Sequence, residues 1–446
     1  MLIAPPRPAP GDVPPKVEYP HGFRLRWVIC GLLFLATVIN YVDRFALSFL
    51  AKPLQDQFGW SDPDYGWIVF AFQLSYATGN VAWGGIMDRI GTRLGYTVAV
   101  VWWSFAAMGH ALARSAFGFG FWRLQLGIGE AGNWPGAIKT IAEWFPQRER
   151  CTATGLFNGG SNIGAMVAPF ILAWIIAWPG WHAIGWQGWQ GAFLFTGALG
   201  FFWAIAWWII YRPVLNHPTL SAEERRWITQ DGPPRETLGR IPWKQLLGER
   251  RAWAFILGKA FSDPIWAFYL FWFPKFLGDV HHLSPAQMAS VVWIPYLAAD
   301  AGSIGGGWLS SYLISRGWPV NRARKTTMAV AAFSIPLVAL AAFIHSLPLV
   351  IVLVSLALAM HQWWSANLFT TTSDMFPSEA VGTVVGMGQF GGSGMAMLFM
   401  PFVGYYHQYT GSYSGIFLIA AAAYPIALLL FHLLAPRLDR VSLQAE

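Results

Sequence analysis

The stretch Gly85-Ile-Met-Asp-Arg-Ile-Gly-Thr-Arg93 lies where one apolar segment, residues 64–87, gives way to the next, residues 94–113. Glycine permits a tight turn and a close approach of helices. The charged side chains can pair across the ends of neighbouring helices, although a plain basic loop beside a membrane is the alternative. We interpret five residues as a latch that holds one conformation and releases it in another: Gly85, Asp88, Arg89, Gly91 and Arg93.

The rest of the chain is as apolar as the segments that flank this loop. Of its 446 residues, 55% are hydrophobic and only 11% are charged, whereas soluble domains average about 25% charged residues. Hydrophobic stretches long enough to span a bilayer recur along the whole length. They predict an all-α membrane protein with twelve transmembrane helices, near 26–50, 64–87, 94–113, 116–144, 150–178, 187–211, 252–278, 287–314, 324–345, 347–373, 380–408 and 413–434.

The basic residues orient these spans. The loops on one side carry only Lys52, Arg114 and Lys275, and four basic residues lie inside spans, so the other 22 of the 29 Lys and Arg lie on the opposite side. The positive-inside rule makes that richer side cytoplasmic. We therefore expect a disordered cytoplasmic tail (1–22), an N-terminal six-helix half (23–211), a cytoplasmic central loop (212–251), a C-terminal six-helix half (252–436) and a cytoplasmic tail (437–446).

The two predicted halves repeat one another. Trp144-Phe145-Pro146 is followed nine residues after the proline by Gly155, and Met375-Phe376-Pro377 is followed at the same interval by Gly386. The second half lacks the acid of the 85–93 loop, because Ser310 stands where Asp88 would be. A latch in that half must borrow its acid from elsewhere. Duplicated six-helix halves are typical of transporters and place a substrate site between the halves at mid-membrane.

The loop and the duplication resemble the major facilitator superfamily. Three further stretches resemble its anion:cation symporter family, and within it the bacterial hexuronate transporters: Ile39-Asn-Tyr-Val-Asp-Arg44, Gly129-Glu-Ala-Gly-Asn-Trp-Pro135 with Glu143-Trp-Phe-Pro146, and His361-Gln-Trp-Trp-Ser-Ala-Asn367. The resemblance implies the major facilitator fold and proton-coupled import of glucuronate or galacturonate. It also implies a multi-pass protein of the bacterial inner membrane that works as a monomer, without a cofactor, a metal or an enzymatic activity.

Four ionisable residues lie deep in predicted spans of the first half: Asp43, Arg44, Arg123 and Glu130. Arg123 and Glu130 are seven residues apart, which places them within about 20° on one helix face and about 10 Å apart along its axis. Ionisable groups at membrane depth face a cavity or a partner. One interpretation is a buried charge network that only holds the first and fourth helices together.

The other interpretation is a transport site. A guanidinium offers a bidentate fork to a carboxylate, and a carboxyl that takes up a proton releases its arginine for the substrate. The resemblance implies that Asp43 and Glu130 couple protons and that Arg44 and Arg123 lie near the substrate, without indicating which arginine holds the carboxylate. It also places Tyr41 and Tyr76 at the substrate.

The remaining candidates each have a structural alternative. Polar side chains in membrane helices also serve as contacts between helices, and Lys259 can form an i,i+4 pair with Asp263. His361 can be a packing residue, and most tryptophans lie in interface belts. We predict a further set of substrate contacts: Asn162, Lys259, His361, Trp363, Trp364, Asn367 and Gln389. The role of Asp300, in the eighth predicted span, stays open.

Other functions compete with hexuronate import. The same family carries other carboxylates, such as aldonates or aromatic acids. Against a membrane enzyme, the sequence has no HExxH, GxSxG or P-loop motif and no Cys/His metal cluster. A non-transporting sensor would need a signalling domain, for which the central loop is too short.

Overall fold

A computed structural model describes residues 24–60, 62–183, 185–231, 241–281, 291, 293–344 and 346–442. Within these residues the chain forms twelve long helices, as predicted. They are helix 1 (Leu25–Phe58), helix 2 (Asp62–Ile90), helix 3 (Thr92–Gly109), helix 4 (Ala116–Glu130, continued by Asn133–Trp144), helix 5 (Gln147–Ile176), helix 6 (Gly188–Ile210), helix 7 (Arg250–His281), helix 8 (Trp293–Ser315), helix 9 (Val320–Ser334, continued by a 3-10 turn, Ile335–Ala342), helix 10 (Leu347–Met375), helix 11 (Ser378–Thr410) and helix 12 (Ser414–Leu434). The predicted tail 1–22 lies outside the described residues.

Six of the described segments are long and apolar enough to cross a membrane by length and composition alone. They are Leu25–Leu50, Gln147–Ile176, Gly188–Ile210, Val320–Ala342, Leu347–Met375 and Ser414–Leu434. Helix 4 is interrupted, and helices 2, 8 and 11 are rich in glycine. Glycine adds little apolar surface but allows close packing, which the architecture uses at the contact between its halves.

Helix 4 differs from the prediction of one continuous span, because it stops at Glu130 and restarts at Asn133. Glycines on both sides of the break favour the turn. Pro135, in the first turn of the second segment, needs no backbone donor there. The break lies directly after Glu130, so this acid is the last residue of the first segment.

The described part of the central loop contains two short α-helices, Ala222–Ile228 and Trp243–Gly248. Glu224 accepts hydrogen bonds from the backbone N–H groups of Leu25 and Arg26, at 3.0 and 3.2 Å. N–H groups in the first turn of a helix have no partner within that helix. The Arg26 guanidinium bridges Glu224 at 2.8 Å and Glu149 at 2.7 Å. The loop therefore joins the starts of helices 1 and 5.

Both described ends of the chain lie on one face of the bundle, which we call the termini face. The start of helix 1 contacts the start of helix 5 there, and the backbone N–H of Val441 donates to Met375 at the end of helix 10, at 2.8 Å. Part of the predicted C-terminal tail is thus packed against the second half.

The halves meet through two equivalent crossings, helix 5 on helix 8 and helix 11 on helix 2. A Cβ added to Gly155 would lie 2.5 Å from the Ser303 carbonyl oxygen, and one added to Gly386 would lie 2.3 Å from the Asn80 carbonyl oxygen. Only glycine tolerates so close a backbone contact. The repeated Phe-Pro-x8-Gly pattern of the sequence therefore marks the closed junction of the halves at the termini face.

Candidate functional site

The centre of the candidate site is an ion pair between helices 1 and 4. Arg44 donates to one oxygen of Glu130, Oε2, from Nε at 3.1 Å and from a terminal nitrogen at 2.9 Å. The same terminal nitrogen reaches Asn40 Oδ1 at 3.3 Å. Glu130 is completely buried, whereas 23% of the Arg44 side chain is exposed. The guanidinium is therefore the accessible member of the pair.

Aromatic rings surround the Arg44 guanidinium. Its central carbon lies 4.8 Å from the ring centre of Tyr41, 5.0 Å from that of Phe72 and 4.6 Å from that of Tyr76. Ring faces attract a cation, more strongly where water is excluded. These rings fix the direction of the guanidinium and offer flat apolar surfaces beside it. The structure thus brings together Tyr41, Arg44, Tyr76 and Glu130, four of the residues singled out in the sequence.

Arg123 and Asp43 lie behind this pair. Arg123 is 3% exposed and donates to the main-chain carbonyl of Arg44 at 3.2 Å. Asp43 is 2% exposed, and neither of its carboxylate oxygens has a hydrogen-bond partner among the described residues. A buried carboxylate without a donor is costly. The two arginines differ accordingly, since Arg44 reaches solvent-accessible space and Arg123 supports the backbone that carries it.

The second half contributes its own ion pair. Lys259 Nζ lies 2.9 Å from Asp263 Oδ1, the i,i+4 arrangement that the sequence offers. Lys259 is also 4.4 Å from the ring centre of Phe369, and that ring stacks on Trp134 of the first half with centres 4.8 Å apart. The pair thus stands beside an aromatic contact that crosses between the halves.

Two hydrogen bonds join the halves near this aromatic contact. Asn158 donates to Gln362 at 2.6 Å, and Asn162 donates to Asp300 at 2.8 Å. All four side chains are buried. Asn162 therefore contacts the opposite half in this conformation, a role that the sequence also allowed.

Four of the predicted substrate contacts lie within the packing of the second half instead. Asn367 is completely buried, donates to the carbonyls of Gly306 and Trp363, and accepts from Thr327 at 2.9 Å. His361 contacts the Tyr424 hydroxyl and stacks on Trp266 with ring centres 4.8 Å apart. Trp364 is fully buried. Trp363 donates to the Thr327 carbonyl at 3.0 Å. Contacts within the second half therefore occupy His361, Trp363 and Trp364, and Asn367 also accepts from Cys151 of the first half, so a role of these four at the substrate stays a prediction.

Gln389 remains a candidate. It is 6% exposed, and its Oε1 has no hydrogen-bond partner among the described residues. It lies three residues after Gly386, whose backbone touches Asn80 of helix 2. This position puts it on the side of the crossing away from the termini face, towards the level of Tyr76.

The 85–93 loop makes a contact between the halves. Asp88 pairs with Lys139 at 2.9 Å and accepts from the backbone N–H of Thr383 at 2.7 Å and from its hydroxyl at 2.6 Å. Arg89 is exposed, and Arg93 donates to the Trp208 carbonyl within the first half. Gly85 packs on Trp243, and Gly91 has a φ of 79°, which favours glycine. Asp88 alone of the five therefore reaches across to helix 11.

The second half borrows its acid from helix 10. Asp374 pairs with Arg324 at 2.9 Å, and Arg324 donates to Ser310 at 2.7 Å and to the carbonyl of Gln147 at 3.0 Å. Arg150 of the first half donates to the carbonyl of Ser373 at 2.6 Å. Sequence reasoning missed Asp374 and Thr383. The one available signal was that Asp374 stands 231 residues after Glu143, the offset of the repeated Phe-Pro pairs.

Comparison with known proteins places this arrangement in a family. Residues 33–400 match the model of the Major Facilitator Superfamily. The chain is 32% identical to the hexuronate transporter of Escherichia coli (strain K12) over 368 residues, covering 81% of this chain and 83% of that one. It is 34% identical to the galacturonate transporter of Dickeya chrysanthemi over 288 residues, covering 64% of this chain and 81% of the relative. Its fold matches that of the proton:xylose symporter XylE, solved with 6-bromo-6-deoxy-D-glucose, with a TM-score of 0.72 at 13% identity over 91% of this chain and 94% of that one. The chain therefore belongs to the major facilitator superfamily, and it is similar to the hexuronate transporters within it.

Proposed function

We propose that this protein imports a hexuronate, glucuronate or galacturonate, together with protons by alternating access. It does so as a monomer in the bacterial inner membrane, with the termini face in the cytoplasm. The observation that carries the proposal is the forked contact of the part-exposed Arg44 with the buried Glu130. The same guanidinium geometry suits a substrate carboxylate.

Coupling follows from competition for Arg44. While Glu130 is ionised, it occupies the guanidinium. A proton on Glu130 removes the charge that holds the arginine, and the substrate carboxylate takes its place. Tyr41 and Tyr76 flank the guanidinium, so the ring of a sugar acid bound there lies against aromatic faces. Proton and anion therefore bind together rather than in alternation.

A second proton has a site in Asp43. This acid is buried beside Thr196 and Arg123, and its carboxylate oxygens have no hydrogen-bond partner among the described residues, so its neutral form avoids the cost of a poorly paired charge in the membrane. An anion that enters a negative-inside cell moves uphill by about 2.3 kcal/mol per 100 mV. One proton cancels that charge, and a second makes uptake electrically favourable. Asp43 and Glu130 are the two groups that bind these protons during transport.

The contacts between the halves supply the alternating access. Asp88, through Thr383, and Asp374, 3.8 Å from Arg150 of the first half, hold the termini face closed, and rocking of the halves about the central site exposes it to each side in turn. A second candidate is transport of another organic anion, such as an aldonate or an aromatic carboxylate, by the same mechanism. Arg44 recognises the carboxylate that all of these share.

The test is uptake of radiolabelled acids into vesicles that contain the purified protein. We expect glucuronate or galacturonate to accumulate when the outside is acidic, and more so when the inside is negative. Uncharged glucose of the same size should not accumulate. Accumulation of an aldonate but of neither hexuronate would identify the second candidate. Binding of all the acids without any uptake would indicate a sensor and contradict the proposal.

A further inference from the structure

Helices 5 and 8 form a crossing between the halves that ends in a titratable group. At the end of the crossing nearer the termini face, a Cβ added to Gly307 would lie 2.4 Å from the Cys151 carbonyl oxygen. Asp300 lies two turns of helix 8 away from Gly307, at the end of the crossing farther from the termini face. Its Oδ1 accepts from Asn162 at 2.8 Å. Between them, the Ser303 hydroxyl donates to the Gly155 carbonyl at 2.9 Å. Asp300 is therefore the deepest member of a contact that begins at the termini face.

Asp300 differs from most other buried acids of this protein. Glu130, Asp88 and Asp374 each pair with a basic side chain, as does the half-buried Asp263. Asp300 is 7% exposed, no described basic side chain pairs with it, and its Oδ2 has no hydrogen-bond partner among the described residues. A neutral amide of Asn162 cannot offset a buried negative charge as a cation does. The closed junction therefore favours Asp300 with a proton on its carboxyl.

The surroundings of Asp300 contain no competing charge in the described part of the chain. Helix 8 packs on helices 5, 9 and 10. Helices 5 and 9 carry their charged side chains in their first two turns, at the termini face. On helix 10, His361 contacts Tyr424 and Asp374 pairs with Arg324. Tyr296, one turn away on helix 8, packs on Trp266. Gly159 and Asn162 are what helix 5 presents to the carboxyl.

The two partners of this hydrogen bond belong to different halves. When the halves part at the termini face, Asp300 loses both its donor and its cover, and water reaches it. We propose that Asp300 is a proton-binding gate residue, which carries a proton while the junction is closed and releases it when the junction opens. The O–H bond breaks, the proton passes to cytoplasmic water, and a carboxylate remains on helix 8.

The direction of the pH dependence follows from linkage, and this step rests on the proposed alternating access. Because the closed junction binds one more proton at Asp300 than the open one, acid favours closure and alkali favours opening. One such proton changes the open-to-closed ratio by up to about tenfold per pH unit. Cytoplasmic alkalinity, the condition in which an inward proton gradient is strongest, therefore promotes opening to the cytoplasm.

The experiment measures the junction without any substrate. Spin labels are placed at the exposed positions Glu223, on the loop helix bound to the first half, and Arg437, just after helix 12. The two buried cysteines are replaced by serine. Pulsed electron resonance then gives the fractions of open and closed protein between pH 5 and pH 9. Asp300→Asn keeps the shape of the side chain and an oxygen that can accept from Asn162. In the parent, the open-to-closed ratio should rise with pH by up to about tenfold per pH unit more than in this variant.

A second variant keeps the proposal testable if Asp300→Asn does not fold. Asn162→Asp puts a second acid against Asp300, so its pH response should become steeper. An unchanged pH response in every variant that folds would overturn the proposal. The spin-label measurement uses no substrate, so its result does not depend on the identity of the substrate. Proton-driven uptake is measured separately, in vesicles that contain the same protein. If the parent protein shows no proton-driven uptake, the proposed function is contradicted. If the pH response is the same in Asp300→Asn as in the parent, only the gate role of Asp300 is contradicted.

Discussion

Arg44 places two nitrogens on a single oxygen of Glu130, and the other oxygen, Oε1, has no hydrogen-bond partner among the described residues. A fork that engaged both oxygens would hold the carboxylate more firmly. The free oxygen can take a proton without first breaking the contact. This asymmetry makes the pair easy to exchange, which a coupling site requires and a purely structural ion pair does not.

Replacement of Glu130 by glutamine tests the coupling role. Glutamine is permanently neutral but keeps one oxygen that accepts from Arg44. We expect Glu130→Gln to bind hexuronate and exchange it across the membrane, because exchange needs no net proton movement. It should fail to accumulate hexuronate against a gradient. Both properties are measured in vesicles, as counterflow and as uptake driven by a pH gradient.

Asp43→Asn is the companion variant, because Asp43 is the other buried acid of the first half that we assign to coupling. If both variants still concentrate substrate in response to a proton gradient, these acids are structural. The coupling site would then lie elsewhere, with Asp300 as the next acid to examine.

Arg44→Lys tests which arginine holds the carboxylate. Lysine keeps the charge but not the fork, and a hydrogen bond to a charged group contributes about 1.5–3 kcal/mol. We therefore expect hexuronate affinity, measured by calorimetry, to fall at least about tenfold. Arg123→Ala should lose binding as well, but it should also lower the Tm, because Arg123 is 3% exposed and supports the Arg44 backbone. Equal affinity in Arg44→Lys and the parent would move the carboxylate away from Arg44.

The sequence predicted the helices well because apolar stretches of membrane-spanning length are long, periodic signals. It also indicated the Arg44–Glu130 neighbourhood, because buried charges in a membrane need partners. It could not choose between a substrate role and a packing role for His361, Trp363, Trp364 and Asn367, because one sequence does not reveal which face of helix 10 turns towards the other half. Asp374 was missed because its partner, Arg324, lies fifty residues away in the chain, and spacing predicts only local pairs.

Asp88→Asn tests the contact at the termini face. The change removes the nearer of the two acids beside the buried Lys139, whose other acid, Glu143, lies 3.8 Å away, and it removes the charge that accepts from Thr383. Breaking a buried pair in this way costs about 3 kcal/mol, here in the closed state. We expect slower transport with largely unchanged hexuronate binding, because the loop is remote from Arg44. If binding disappeared while the protein stayed folded, Asp88 would not be a latch.

Gly386→Ala tests the close crossing of helices 11 and 2. The new Cβ would lie 2.3 Å from the Asn80 carbonyl oxygen, so the helices must separate. Overpacking costs about 1–3 kcal/mol, and it acts only while the halves are closed. The open fraction, measured by the same spin-label distance, should therefore rise. Gly394→Ala is the matched control on helix 11, since nothing lies within 4 Å of its added Cβ, and it should leave the open fraction unchanged. An equal response in both variants would contradict a specific crossing.

The two cysteines provide a native reporter of the same opening. Cys151 Sγ contacts the Ala366 carbonyl and Asn367 Oδ1, at 3.6 and 3.3 Å, across the junction of the halves. Cys30 Sγ contacts the Ala153 carbonyl at 3.6 Å, within the first half. Both residues are buried. Opening of the termini face uncovers Cys151 but leaves Cys30 inside its half, because rigid halves keep their internal packing.

We expect a maleimide to label Cys151 in the native protein. After correction for the effect of pH on thiol reactivity, labelling should be faster in Gly386→Ala, which opens the junction, and slower at acid pH, which closes it. Cys30 should react only on unfolding. Timed labelling followed by peptide mass spectrometry separates the two sites. Equal labelling rates for Cys30 and Cys151 under native conditions would mean that the halves do not move as rigid bodies about this junction.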